Sequence, residues 1–234
     1  KFENFKYDIK EEPFNFARSV NRGIELSGNN DVMLLNNDIE IISSNWLTEM
    51  VSCLKFENTG VVGAKLIYKD GTIQHAGVIA GLGGYAGHWF SNEPASSGGL
   101  MNRLHVRNSL TSVTGAAMLI SRQCLDNVGN FDESNFAIAY NDVDFCLRAH
   151  KAGYRIVWTP FAELYHLESA TRGSDETEQN RERFEMEKSN LQNLHDTQNM
   201  VDPALHPYLS RSHASPFSKY TKFVRGGRTW MKMN

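Results

Sequence analysis

Two acidic clusters in this sequence have the spacing of working carboxylates. The first is Leu35-Asn36-Asn37-Asp38-Ile39-Glu40. Asp38 and Glu40 are two residues apart, and in extended backbone that spacing turns both carboxylates to one side. Two oxygen ligands on one side suit a hard divalent cation such as Mg2+ or Mn2+. The alternative reading is that Asp38 only starts a turn and Glu40 is only solvated; the pair alone leaves the two readings about even. The second cluster is Asn141-Asp142-Val143-Asp144, followed by Phe145-Cys146-Leu147-Arg148. Asp142 falls in the first turn of a helical pattern, where the helix dipole favours an anion, so taken alone a plain capping role outweighs catalysis. Asp144 stands four residues before Arg148, which predicts a helical ion pair. That leaves Asp142 as the carboxylate to face a cleft, where a general base would take a proton from a substrate hydroxyl.

Histidines are the next candidates. His166 alternates with Tyr165 and Leu167 and so projects to the other face of its strand; a ligand role is open, although a lone histidine is more often structural. His75 and His88 lie in a Gly-rich stretch and are expected in surface loops.

The elements that must position these groups can be read from periodicity. Residues 4–10 are expected as a short strand. A helix follows, with Phe16, Val20, Ile24 and Leu26 on one side, ended by Ser27-Gly28-Asn29-Asn30. The continuous apolar run Val32-Met33-Leu34-Leu35 predicts a strand buried on both faces, as in a parallel sheet. The acidic cluster after it then sits at the carboxyl end of a strand, where open α/β sheets bind ligands. Asn45 is expected to cap a helix that turns Trp46, Leu47, Met50 and Leu54 inward. Strands are expected over 61–68 and 113–120, and a short helix over 122–128. The glycines between residues 70 and 105 predict a loop-rich excursion with one hairpin. A helix over 142–151 is stopped by Gly153. Tyr154–Trp158 reads as a strand ended by Thr159-Pro160, and 163–167 as a second one. Residues 176–195 form a charged amphipathic helix marked by Phe184, Leu191 and Leu194, and 202–234 read as a tail with a basic end.

Bulk properties narrow the class. The chain has 234 residues, of which 41% are hydrophobic and 22% charged, an ordinary globular mix able to form a core. A net charge of -3 gives no electrostatic case for nucleic acid or an anionic membrane as the main partner. Cys53, Cys124 and Cys146 are too few and too scattered for a disulfide framework or zinc site, and a reducing, cytoplasmic setting suits them. No apolar run approaches the roughly 20 residues that span a bilayer. The chain opens on Lys1-Phe2-Glu3 rather than methionine, which fits a piece excised from a longer, multidomain or membrane-associated protein.

Taken together, the segments resemble the family 2 glycosyltransferases, especially bacterial enzymes that build rhamnose-rich and O-antigen polysaccharides. The resemblance runs from about Pro13 to Leu209. It is carried by Phe14-Asn15-Phe16-Ala17, Asn21-Arg22-Gly23, the 35–40 cluster and Asp70-Gly71-Thr72-Ile73-Gln74-His75-Ala76-Gly77. Val113-Thr114-Gly115-Ala116-Ala117, Val128-Gly129-Asn130-Phe131-Asp132-Glu133, the 141–144 helix start, His166-Leu167-Glu168-Ser169 and Asp202-Pro203 complete it. The order and spacing of these pieces are what is specific. The resemblance implies an α/β fold: a glycosyltransferase A-type, Rossmann-like sheet lacking its first strand-helix-strand unit, with a C-terminal helical extension. The division expected is a partial catalytic domain over 1–172 and a helix and tail over 173–234.

Several roles follow from the resemblance alone. Asp38, Glu40 and His166 are implied to hold Mn2+ or Mg2+ beneath a nucleotide-sugar diphosphate, with Asn36 standing where the family has its first acid. Asp142 is implied as the catalytic base and Asn141 takes the place of the usual glutamate. Gly115 and Ala116 match small residues that let the donor sugar approach the backbone. Asn21, Asn37 and Asp144 are expected, with Asn36, Gly115, Ala116 and Asn141, in substrate binding. The implied reaction is an inverting sugar transfer to a glycan or lipid-linked glycan acceptor, in the cytoplasm at the inner face of the membrane. A non-catalytic binding module with a degenerate fold is the alternative that Asn36 and Asn141 favour. A nucleotidyltransferase would need a Gly-rich phosphate loop near its N-terminus, and none is visible.

Overall fold

The computed structural model describes residues 4–167, 178–206 and 209–212, and the backbone of 223–225 and 228–230. In chain order its elements are α1 (Phe16–Ser27), β1 (Val32–Leu35), β2 (Ile39–Ile41), α2 (Trp46–Cys53), β3 (Thr59–Ile67), β4 (Ile73–His75), β5 (Val78–Ala80), β6 (Ala86–His88), β7 (Asn108–Leu110), β8 (Ala117–Ile120), α3 (Arg122–Val128), α4 (Asn141–Lys151), β9 (Arg155–His166), α5 (Glu178–His195), β10 (Phe223–Arg225) and β11 (Arg228–Trp230). Residues 5–10 carry no strand, contrary to expectation. The basic side chains expected at 219–228 lie outside the described residues, as does the start of the helix expected from 176.

A seven-stranded sheet forms the centre, its main path running β1-β8-β3-β9-β2, with β4 beside β3 and β7 beside β9. β3 is buried at all nine positions, as its apolar sequence demands of a strand covered on both faces. The sheet is mixed. β3 and β9 are parallel, while β1–β8, β8–β3 and β2–β9 are antiparallel. β1 therefore differs from the parallel, doubly buried strand expected. It lies at the end of the strand path, and burial falls from buried Val32 to exposed Leu35. A four-residue apolar run carries no information on strand direction, which the distant β8 decides.

β9 also corrects the sequence reading, which breaks the strand at Pro160. It is one strand of 12 residues. Its outer neighbours change along its length, β7 pairing with 156–158 and β2 with 164–166. On the β3 side the register jumps from Gly63↔Trp158 to Lys65↔Glu163. Pro160 thus falls in the irregular stretch, where a missing N–H costs no ladder bond.

The helices close both faces. Asn15 caps α1, its side chain accepting from Arg18 N at 2.9 Å, and Ala17, Asn21 and Ile24 are the buried stripe. Leu26 is exposed, outside that stripe. α2 covers the opposite face through Met50 and Cys53. Asn45 precedes it without a side-chain capping bond, and Leu47 points outward. On α2, Glu49 is 8% exposed and receives Arg107 through both guanidinium arms, at 2.7 and 2.6 Å, and the Thr159 hydroxyl at 2.6 Å. The Arg107 bonds, foremost, hold its carboxyl below the usual carboxylate range. A depressed folded-state value gives stability that is present above the unfolded value and lost as pH falls through the folded one. Urea midpoints measured across the acid limb should therefore fall less steeply in Glu49→Gln than in the parent protein.

Candidate active site

Chain segments from both ends of the fold meet around a cavity of about 330 Å³. Asn36 follows β1, Gln74 belongs to β4, His88 ends β6, Thr114–Ala116 precede β8, and His166 ends β9. The remaining wall is the 138–143 segment that leads into α4, faced by Phe184 of α5.

Asp142 occupies that wall. α4 begins at Asn141, so Asp142 sits in its first turn. Its Oδ2 accepts the Gly115 N–H at 2.8 Å, and its Oδ1 accepts the Val143 N–H at 2.8 Å. These donors fix the orientation of the carboxylate. A Cβ built on Gly115 would stand 3.4 Å from Asp142 Cβ, so the glycine lies directly against the carboxylate residue. Asn141 is buried and donates from Nδ2 to Ile138 O at 2.6 Å, which ties down the turn before the helix.

A second group is Asp38 with His166. Asp38 Oδ1 lies 3.2 Å from His166 Nε2, and the Asn36 side-chain nitrogen lies 3.4 Å from the same ring atom. His166 Nδ1 faces Gln74 Oε1 at 2.7 Å, so Nδ1–H donates; Nε2, if bare, and the Asp38 oxygen are both acceptors and need a cation between them. A ring nitrogen held bare by an acceptor on the other nitrogen is the usual preparation of a metal-binding histidine. One imidazole nitrogen beside one carboxylate oxygen fits Mn2+ or Mg2+ in chemistry.

Glu40 does not join them. The sequence reading takes Asp38 and Glu40 as one extended segment, but Asp38 lies in a turn and β2 begins only at Ile39. Ile39 pairs with His166 and Glu40 with Tyr165, so Glu40 projects to the other face of the sheet. There it is exposed and forms an ion pair with Lys69 at 2.5 Å. Among the described residues no cluster of three His, Cys, Asp or Glu side chains could hold a metal.

Asp38 is itself outside the cavity lining and reaches it through His166, and three other expected site residues also stand apart from it. Asn21 is buried and clamps α1 to the 131–133 segment, bonding Phe131 N at 2.9 Å, Phe131 O at 2.9 Å and Glu133 Oε1 at 2.7 Å. Asn37 is exposed in the turn between β1 and β2. Asp144 is 2% exposed and held by Arg148 Nε at 2.9 Å, as its spacing predicts, and also by His195 Nε2 at 2.8 Å. Asn36, Gly115, Ala116, Asn141, Asp142 and His166 do line the cavity.

Sequence reasoning missed the supports. His75 is not in a surface loop but fully buried, with its Nδ1 3.0 Å from His88 Nδ1. α5 reads as a charged helix marked by Phe184, Leu191 and Leu194. Leu194 is exposed, however, and the buried stripe is Glu187, Leu191 and His195. Glu187 accepts the Ile138 and Ala139 amides at 3.0 and 2.8 Å, and burial raises its pKa. The next residue, Tyr140, has φ +59°, stacks on Phe184 at 5.7 Å, and its hydroxyl is pushed up to about 12, chiefly by burial. The 4-residue spacing of Glu187, Leu191 and His195 was visible, but a mixed polar and apolar stripe does not score as amphipathic. Glu187→Ala leaves two amide donors without their acceptor and should cost about 1–3 kcal/mol, read from urea unfolding.

Residues 10–185 match the sequence profile of the family described as "Glycosyltransferase like family 2". The chain belongs to this family. As a family 2 glycosyltransferase domain it is 43% identical over 198 residues to "Uncharacterized protein y4gI" of Sinorhizobium fredii (strain NBRC 101917 / NGR234), covering 85% of the chain and 22% of that protein. It is 37% identical over 167 residues to "O-antigen biosynthesis protein RfbC" of Myxococcus xanthus, covering 70% of the chain and 13% of that protein. The chain thus spans under a quarter of the length of these curated relatives. Its fold matches a crystal structure of GalNAc-T7 with UDP, GalNAc and Mn2+, with a TM-score of 0.52 at 12% identity, over 68% of this chain and 31% of the other. That match gives a glycosyltransferase A-type fold. Among the described residues no helix is long and apolar enough to cross a membrane.

Proposed function

We propose that this family 2 domain transfers a sugar from a nucleotide-sugar donor to a hydroxyl of a glycan or lipid-linked glycan acceptor, with inversion at the anomeric carbon, in the synthesis of cell-surface polysaccharide. The observation that carries the reading is one cavity lined by both the Asp142 carboxylate and the His166 ring, with Asp38 3.2 Å from that ring. The printed role of the Myxococcus relative supports the polysaccharide setting. Three free, buried cysteines suit a cytoplasmic site, where the acceptor would be met at the inner face of the membrane.

Asp142 removes the proton from the acceptor hydroxyl as that oxygen attacks the anomeric carbon. The Gly115 N–H keeps Oδ2 aimed during this step. Asp38 and His166 are the side chains to hold Mn2+ or Mg2+, with Gln74 fixing the ring of His166. Such an ion, when bound, supplies Lewis-acid neutralisation of the charge that builds on the departing diphosphate. Gly115 and Ala116 offer a backbone surface that a sugar ring can approach closely, and Phe16, Tyr140 and Phe184 give apolar walls that limit water. Asn36 and Asn141 are the specific features behind the second reading, a binding module without turnover.

The test supplies purified protein with Mn2+, a panel of UDP-, GDP- and dTDP-sugars and a polysaccharide or lipid-linked acceptor. Product analysis by NMR should find nucleoside diphosphate released and the new linkage of opposite anomeric configuration to the donor. Retained configuration contradicts the single displacement, and binding of a donor without release favours the second reading.

A further inference from the structure

The buried His75 has no part in the chemistry just described, yet it joins two of the site's walls. It ends β4, is 0% exposed, and its Nε2 lies 3.3 Å from the Thr114 amide nitrogen. A backbone amide can only donate, so Nε2 carries no proton. The ring proton is then on Nδ1, which faces His88 Nδ1 at 3.0 Å; His75 donates and His88 accepts. The opposite tautomer would set N–H against N–H at Thr114. Burial, followed by the neighbouring His88 and His166 rings, holds His75 well below the usual histidine range and so neutral. His88, with Nδ1 engaged as acceptor, keeps its own proton on Nε2 at the cavity wall.

The amide after Thr114 belongs to Gly115, and it donates to Asp142 Oδ2 at 2.8 Å. Peptide planarity leaves only the φ and ψ of Thr114 between the two amides. Anchoring the first therefore restricts the direction of the second. We propose that His75 is a positioning residue of the transfer site: fixed in its Nδ1–H tautomer, it anchors the Thr114 amide, aims the Gly115 N–H at Asp142, and orients His88 at the cavity wall. This rests on the reading of Asp142 given above.

The test has two readouts, neither of which uses turnover. Long-range 1H–15N correlation spectra of the 15N-histidine-labelled chain report which ring nitrogen of His75 is protonated. A bare Nε2 with protonated Nδ1 is expected; the Nε2–H tautomer, or averaging between the two, overturns the proposal. The second readout is amide hydrogen exchange at Gly115 in two variants. In His75→Gln the side-chain oxygen reaches the place of Nε2 and still accepts from Thr114, so exchange stays within about twofold of the parent. The shorter His75→Asn loses that acceptor, and Gly115 exchange should quicken about tenfold while amides of β3 are unchanged. Equal behaviour of the two variants overturns the proposal, and if His75→Asn does not fold, the tautomer in the parent chain still decides. Because no transfer is measured, failure here leaves the role of Asp142 standing, and failure of that role leaves these readouts interpretable.

Discussion

Asp142→Asn should lower the rate of sugar transfer by about 10²- to 10⁴-fold, the usual worth of a positioned general base. Nucleoside diphosphate binding should be unchanged, because the substitution removes a proton acceptor rather than a wall of the cavity. The asparagine oxygen can still accept the Gly115 N–H, so the fold has no reason to suffer. Asp144→Asn, two residues along the same helix, should do the reverse. Its carboxylate is buried between Arg148 and His195, and weakening that cluster should cost stability of ~3 kcal/mol while turnover of the folded fraction persists. Parallel kinetic and urea-unfolding measurements separate the two aspartates. Unchanged transfer in Asp142→Asn would remove this residue from the mechanism.

Metal affinity should divide the three side chains that the sequence groups together. His166→Ala and Asp38→Ala should each weaken Mn2+ binding by at least about 100-fold, whereas Glu40→Ala should stay within about twofold. Gln74→Ala should fall between them, at about 10- to 100-fold, since losing the acceptor on Nδ1 frees the ring to turn and to carry its proton on Nε2. Electron paramagnetic resonance of free Mn2+ gives the four affinities directly. A loss in Glu40→Ala equal to that in His166→Ala would mean that the strand pairing of β2 is wrong.

How far the sequence carried these conclusions depends on whether the deciding contact was local. The i,i+4 spacing of Asp144 and Arg148 identified their ion pair, and by elimination pointed to Asp142 as the carboxylate for the cleft. The α1, α3 and α4 spans were legible for the same reason, since helix periodicity is set by neighbours in the chain. Glu40 was misjudged because alternation was counted from Asp38, one residue before the strand starts. The direction of β1 and the continuity of β9 past Pro160 were settled by partners more than 80 residues away in sequence, beyond any local pattern. His75 was hidden by its glycines, which suggest a loop but do not say whether the loop is covered. Here Leu104, Trp89 and Phe90 fill the same stretch and are buried with it. The roles of Gln74 and Glu187 were invisible for a simpler reason: each supports a group more than 45 residues distant.

The most direct measurement is anomalous scattering from crystals of the chain soaked with Mn2+ and UDP. The ion is expected in contact with Asp38 and His166, on the side of the sheet that faces Asp142, with Glu40 still paired to Lys69. An ion bound at Glu40, or one bound elsewhere with Asp38 and His166 left in mutual contact, would contradict the proposed site.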